Sequence, residues 1–282
     1  MTVEAIPVWF SPAQVANAQS YSPSAGKPAR VVESWRRLGI PLDVRAPEPV
    51  TRAQLYLAHD DDYVDAVLDG RADNGFGNRL PEVAASLPFT SGAMLAAARA
   101  AIANGVGAVA PVSGFHHACY DRGGGFCTFN GLMVAACVLL REGRSRIGIL
   151  DFDHHYGNGT TDIIRRLDIA DAVPHYSAGA EYESPSRSTD FLARVPSLVE
   201  RFAGCDVLLY QAGADPHVDD PLGGWLTSAQ LRERDRLVFA HAERLGVPLA
   251  WNLAGGYQQP LARVLEIHDN TMRECGNRWL AR

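Results

Sequence analysis

Short apolar runs alternate with segments of helical spacing along nearly the whole chain, and this alternation limits the fold more than any other feature. The runs at 6–10, 41–46, 105–112, 146–153, 172–177, 206–211 and 247–253 read as strands, several of them apolar enough to be buried on both faces. Helical spacing marks 30–38, 51–59, 60–68, 91–104, 131–141, the stretch after Thr160, 191–202, 228–245 and 261–280. The joins are short, with no linker, repeat or low-complexity segment. Parallel strands need crossover connections, so the order predicts an α/β fold with a mostly parallel sheet, in one domain over residues 1–282. The glycine- and asparagine-containing stretch 69–80 is expected as a surface loop on a pocket rim.

Sheets of this kind bind ligands beyond the carboxyl ends of their strands. Every unusual polar cluster falls at such an end, at 113–118, 151–158, 212–220 and 254–257. The most telling is Asp151-Phe152-Asp153-His154-His155-Tyr156-Gly157-Asn158-Gly159-Thr160. A buried strand has no packing reason to finish in carboxylates and imidazoles. In an extended chain residues two apart share a face, which would point Asp151, Asp153 and His155 the same way. Hard oxygens and an imidazole converging there suit a divalent metal. Asp215, just past another buried strand, is the best candidate for a further ligand, with Asp219 and Asp220 as near competitors.

His116 and His117 follow a buried strand in a glycine-flanked loop. Imidazole titrates near neutrality and moves protons, provided its other nitrogen has a partner that fixes the tautomer. Asp151 and Asn158 can supply those partners, the asparagine leaving its imidazole the less basic of the two. Tyr257 follows Gly255-Gly256, where the missing side chains leave room for a substrate. A phenol there can donate a hydrogen bond to a developing oxyanion.

Composition removes other classes. With 47% hydrophobic residues in 282, the chain can bury a sizeable core. Twenty-six basic against 32 acidic side chains leave a formal charge of -6 and no basic run, so nucleic acid is not an expected partner. No apolar stretch approaches the roughly 18 residues that span a membrane. The start of the chain lacks a secretory pattern, and Cys119, Cys127, Cys137, Cys205 and Cys275 are scattered without a CxxC pair. Reduced thiols and a cytoplasmic location are the expectation. Composition gives no oligomeric state.

Phe115-His116-His117-Ala118, Gly125-Phe126-Cys127 with Phe129-Asn130, Asp151-x-Asp153-x-His155-x-Gly157-Asn158-Gly159-Thr160, Ala212-Gly213-x-Asp215, Asp220-Pro221-Leu222-Gly223 and Gly255-Gly256-Tyr257 resemble the motifs of the histone deacetylase family, in that family's order. The family includes acetylpolyamine amidohydrolases and acetoin-utilisation proteins. The resemblance implies a three-layer arginase-like fold around a central eight-stranded, mostly parallel sheet. It implies zinc on Asp153, His155 and Asp215; iron(II) could occupy the same ligands, because metal choice depends partly on availability. His117 would be the general base and then acid, oriented by Asn158, with His116 beside it paired to Asp151. Tyr257 would polarise the acyl carbonyl, and Gly125, Phe126 and Leu222 would line the substrate channel. A potassium ion on backbone groups of Asp151, Asp153 and His155 is also implied. The implied reaction hydrolyses a small acylated amine, or an acyl-lysine in a peptide or protein.

Two stretches depart from the pattern. Tyr156 stands where relatives often carry His or Val, and should not touch the ligands if His155 is one. In 174–183, Ala180 and Glu181 replace the aromatic or Pro-Gly-rich loop that forms a second channel wall in many relatives. Glu181 and Glu183 there would favour a cationic substrate end, or form a solvated acidic loop. Two competing readings are a two-manganese ureohydrolase on the related fold, and a catalytically silent sensor of metal and acyl ligand. The first needs more bridging carboxylates than the pattern supplies; the second has no need of both His117 and Tyr257.

Overall fold

A computed structural model describes residues 1–281 of the chain. In chain order its elements are β1 (Ile6–Trp9), α1 (Lys27–Arg36), β2 (Leu42–Arg45), α2 (Arg52–Leu55), α3 (Asp61–Leu68), α4 (Pro81–Asn104), β3 (Gly107–Ala110) and α5 (Gly131–Arg141). There follow β4 (Ile147–Asp151), α6 (Asn158–Leu167), β5 (His175–Ser177), α7 (Ser188–Glu200), β6 (Val207–Gly213), α8 (Ser228–Leu245), β7 (Leu249–Ala254) and α9 (Ala262–Trp279). The strands form one sheet in the order β2-β1-β3-β7-β6-β4-β5, and its registered pairs are parallel.

The sheet has seven strands among the described residues rather than the eight that the family resemblance implied. Each apolar run read as a strand along the chain is one of them. Among the described residues the other segments are helices, turns and irregular loops, with isolated bridges such as Val3 to Leu280 in place of a further strand.

Alternation along each strand sorts the side chains onto two faces. Leu208, Tyr210, Ala212, Leu249, Trp251 and Leu253 pack with α1, α7, α8 and α9. Val207, Leu209, Ile147, Ile149, Ala108 and Ala250 face α4 and α5 and the shorter helices α2, α3 and α6. The result is three layers with a core on each side of the sheet. Alanines on β3 and along α4 let that helix approach closely; a Cβ on Gly92 of α4 would lie 2.1 Å from the Glu48 carbonyl oxygen.

Local signals set several boundaries. Thr51 caps α2 and Thr227 caps α8, each in a capping box with a glutamine three residues on. Asp60 caps α3, with Asp61 and Asp62 in its first turn, where negative charge suits the helix dipole. The acidic triplet is therefore spent on a helix start. No helix of the described residues is long and apolar enough to cross a membrane.

The strand order does one thing for function. β3, β7, β6 and β4 are adjacent in the middle of the sheet. The four polar clusters that follow them in sequence are thereby brought to one place at the carboxyl edge.

Candidate active site

The stretch 151–160 breaks its strand earlier than alternation suggests. β4 ends at Asp151, and 152–157 bend irregularly before α6 begins at Asn158. Asp151, Asp153 and His155 therefore do not share a face. Asp151 is fully buried and lies behind the others: one carboxylate oxygen accepts from Gln211 Nε2 at 3.1 Å and from the Asp153 amide at 3.0 Å. Its other oxygen accepts from His116 Nδ1 at 2.8 Å.

Asp153, His155 and Asp215 come together instead, with one ligand atom from each lying within 4.8 Å of the others. His155 Nδ1 stands 3.2 Å from Asp153 Oδ1 and 3.0 Å from Asp215 Oδ2. Asp153 and Asp215 are 2% and 0% exposed. Two carboxylates buried at one point repel each other, and desolvation adds to the cost unless a cation lies between them. Burial and the neighbouring Asp153 push the Asp215 carboxyl up, while facing both carboxylates lifts His155 to about 10. An oxygen, nitrogen, oxygen set with this geometry fits a divalent ion. The competitors for the third position go elsewhere: Asp219 is exposed, and Asp220 accepts the backbone amides of Tyr257 at 2.8 Å and Leu222 at 3.1 Å. Burial raises the Asp220 carboxyl to about 6.

The two histidines of the β3 loop have been driven apart chemically. Burial works against a charge on His116, but Asp151 and Asp153 outweigh it and raise the ring to about 9, so it is a cation near neutrality. Burial, reinforced by the charge of His116, lowers His117 below its ordinary value. His117 Nδ1 lies 2.6 Å from Asn158 Oδ1, an atom that can only accept, so the proton sits on Nδ1 and Nε2 keeps its lone pair. Such divergence between neighbouring titratable groups separates a proton carrier from a fixed charge.

The start of α6 holds this loop. The amides of Gly159 and Thr160 donate to the His116 carbonyl at 2.9 and 3.1 Å. A Cβ on Gly159 would lie 2.3 Å from the Ala118 carbonyl oxygen, so only glycine permits that approach. Gly125 is required in the same way. Its φ is +55°, and a Cβ would fall 2.5 Å from His117 Cδ2.

Phe126 also has a positive φ, +64°, unusual for a bulky residue. It is fixed by its amide bond to the Gly75 carbonyl at 3.0 Å and by surrounding rings. Phe76, Tyr257 and Tyr21 lie 5.9, 5.8 and 5.2 Å from it, centroid to centroid. The loop 69–80 thus does reach the rim, through Gly75 and Phe76. Leu222 is half-buried, in a turn tied to Asp220. Tyr257 is held by the Asp220 bond and by two glycines with φ of +48° and +89°. A Cβ on Gly255 would sit 2.2 Å from Asp215 Cγ.

The departures resolve simply. Tyr156 turns outward and donates to Thr161 Oγ1 at 2.9 Å. Ala178–Ala180 is a short turn beneath His155, where a Cβ on Gly179 would lie 2.3 Å from the His155 carbonyl carbon. Glu181 is exposed and paired with Arg194 of α7 at 2.8 Å, and Glu183 is exposed as well. Cys127 is buried, and burial raises its thiol, as a packing residue requires.

Sequence reading missed Lys27, Gln211 and Tyr21. Lys27 is 1% exposed and donates to the Gly255 carbonyl, next to the Tyr257 turn. Burial brings its ammonium down to about 8, partly offset by Asp215, Asp153 and Asp220. Nothing local in Ala25-Gly26-Lys27-Pro28 marks it. A signal did exist for Gln211, a polar side chain inside a buried strand.

The sequence pattern of the Histone deacetylase domain matches residues 24–178. An uncharacterized protein of Picosynechococcus is 31% identical over 263 residues, covering 83% of each chain. The acetylpolyamine amidohydrolase of Mycoplana ramosa is 32% identical over 51% of this chain and 50% of its own length. Histone deacetylase 2 of Arabidopsis thaliana is 32% identical over 54% of this chain and 44% of its own. Among solved structures, the HDA15 HD domain aligns over 99% of this chain and 91% of its own, with a TM-score of 0.78 at 18% identity. The acetylpolyamine aminohydrolase of Burkholderia pseudomallei aligns over 98% and 100%, with a TM-score of 0.71 at 21% identity. These structures share the three-layer fold around a parallel sheet. The chain belongs to the histone deacetylase family.

Proposed function

We propose that the chain is a single metal-dependent amidohydrolase unit that removes acetyl or other acyl groups from amines. The observation that carries this is the juxtaposition of the Asp153, His155 and Asp215 cluster with two histidines oriented differently, His117 by the Asn158 amide and His116 by the Asp151 carboxylate. The names of the relatives, which speak of acetylpolyamines and histones, support the substrate class.

Asp153, His155 and Asp215 would hold a divalent ion, zinc in the first instance, with iron(II) suited to the same ligands. When bound, such an ion supplies Lewis acidity that polarises a carbonyl and lowers the pKa of water toward ~7. The protein's own groups do the rest. His117 accepts a proton at Nε2 and returns it to the departing amine, while Asn158 keeps the other nitrogen protonated. His116, tied to Asp151, holds a positive charge beside the forming oxyanion. Tyr257 donates its phenolic hydrogen to the carbonyl oxygen. Gly125 gives the substrate passage over His117, with Phe126 and Leu222 as walls and Tyr21 at the rim. A potassium ion on backbone groups of Asp151, Asp153 and His155 would further fix that turn.

The substrates are small acylated amines or acyl-lysine side chains. Released amine is followed across acetyl-lysine peptides, acetylpolyamines and longer acyl amines, with and without chelator. Chelator-sensitive hydrolysis of at least one class supports the proposal. No hydrolysis by the metal-loaded protein across the panel would favour a silent sensor and overturn it.

A further inference from the structure

We propose that Arg234 of α8 is a positioning residue for the metal site, fixing the separation of the two backbone segments that carry Asp153 and Asp215. The inference rests on the assignment of those residues as ligands. Arg234 is 0% exposed, a costly state for a guanidinium unless its donors are used; Nε and Nη1 are used, while Nη2 is buried without a partner. Its Nη1 donates to the carbonyl of Phe152, the residue before Asp153, at 3.2 Å. The same nitrogen donates to the carbonyl of Gly213, two residues before Asp215, at 2.7 Å. One side chain from the helical layer thus ties the ends of β4 and β6 together beneath the ligands.

The guanidinium is itself held in place. Nε donates to Asp235 Oδ1 at 2.8 Å, and Asp235 also accepts the hydroxyls of Tyr210 on β6 and Thr271 on α9. The tied segments have no slack. A Cβ on Gly213 would lie 2.5 Å from Asp153 Cα and 2.7 Å from the Phe152 carbonyl oxygen. A displacement of either segment is therefore passed directly to a ligand, and coordination depends on ligand placement to about 0.2 Å. Neighbouring arginines on α8 do something else: Arg232 and Arg236 stay part-exposed, paired with Glu274 and Glu233.

The test uses the full chain with Arg234→Met, which keeps bulk and removes the donors, and Arg234→Lys, which keeps the charge but not the fork. Zn2+ affinity is measured by competition with a chromophoric chelator, and the visible bands of the Co2+-loaded proteins report ligand geometry. Near-UV circular dichroism of the metal-free forms reports folding. Arg234→Met is expected to fold, to bind Zn2+ at least ~10-fold more weakly and to shift the Co2+ bands. Arg234→Lys should fall between it and wild type. A folded Arg234→Met with wild-type affinity and bands overturns the proposal. If that variant does not fold, Arg234→Lys decides: weakened affinity with shifted bands supports the proposal, and unchanged values overturn it. A wild-type chain that takes up neither ion would overturn the ligand assignment itself, and the proposal with it.

Discussion

His117 donates its Nδ1 proton to Asn158 Oδ1 across 2.6 Å, from a loop after β3 to the first turn of α6. An amide oxygen orients the ring without adding negative charge, so the imidazole stays neutral where its neighbour His116, facing Asp151, is charged. A base must be neutral to accept a proton, so activity requires a pH above the His117 pKa. Because that pKa is depressed, the acid limb of kcat/KM should lie below the usual histidine range. Asn158→Asp places a carboxylate against the ring and favours the cation, moving the acid limb to higher pH. A pH–rate profile checks this, and an unmoved acid limb would separate Asn158 from the base.

Tyr257→Phe removes one hydroxyl and leaves the Asp220 bond to the backbone amide intact. The variant should fold and retain metal, with kcat lower by about 10²–10³-fold. Steady-state kinetics beside metal analysis measures it. Wild-type turnover would take Tyr257 out of the chemistry.

Asp215→Ala deletes a fully buried carboxylate that faces His155. Metal content by elemental analysis should drop to background after dialysis, and hydrolysis with it. Full occupancy would contradict its role as a ligand.

Gly125→Ala asks for a Cβ at φ +55° and 2.5 Å from the His117 ring. The ring must move, and misplacement of about 1 Å at a catalytic group can cost ~10²-fold. Loss of kcat/KM with metal content unchanged is the expected result; unaltered kinetics would mean that the loop does not set the ring.

Much of the layout is legible in the sequence, because strands, caps and helix lengths follow from local patterns. α5 and α8 begin and end where their spacing and their capping residues Asn130 and Thr227 put them. Helical spacing marks α4 only from Ser91, whereas the helix starts ten residues earlier at Pro81. Pro88 lies inside that helix and broke the pattern, since it removes one hydrogen bond without ending the helix when packing holds the rest. The shared face that alternation predicts for Asp151, Asp153 and His155 does not form because the strand stops at Asp151. What alternation could not supply was tertiary selection. Nothing along Arg232-Glu233-Arg234-Asp235-Arg236 says which arginine is buried, and Lys27 is chosen only because the Gly255 carbonyl lies above it.

The central claim is that one metal ion on Asp153, His155 and Asp215 supports amide hydrolysis, and it is met most directly by titrating the metal-free protein with zinc while following amine release from an acylated substrate. Activity should rise linearly and level off at one equivalent. A break at two equivalents would point to a two-metal site, and metal uptake with no hydrolysis of any acylated amine would contradict the claim.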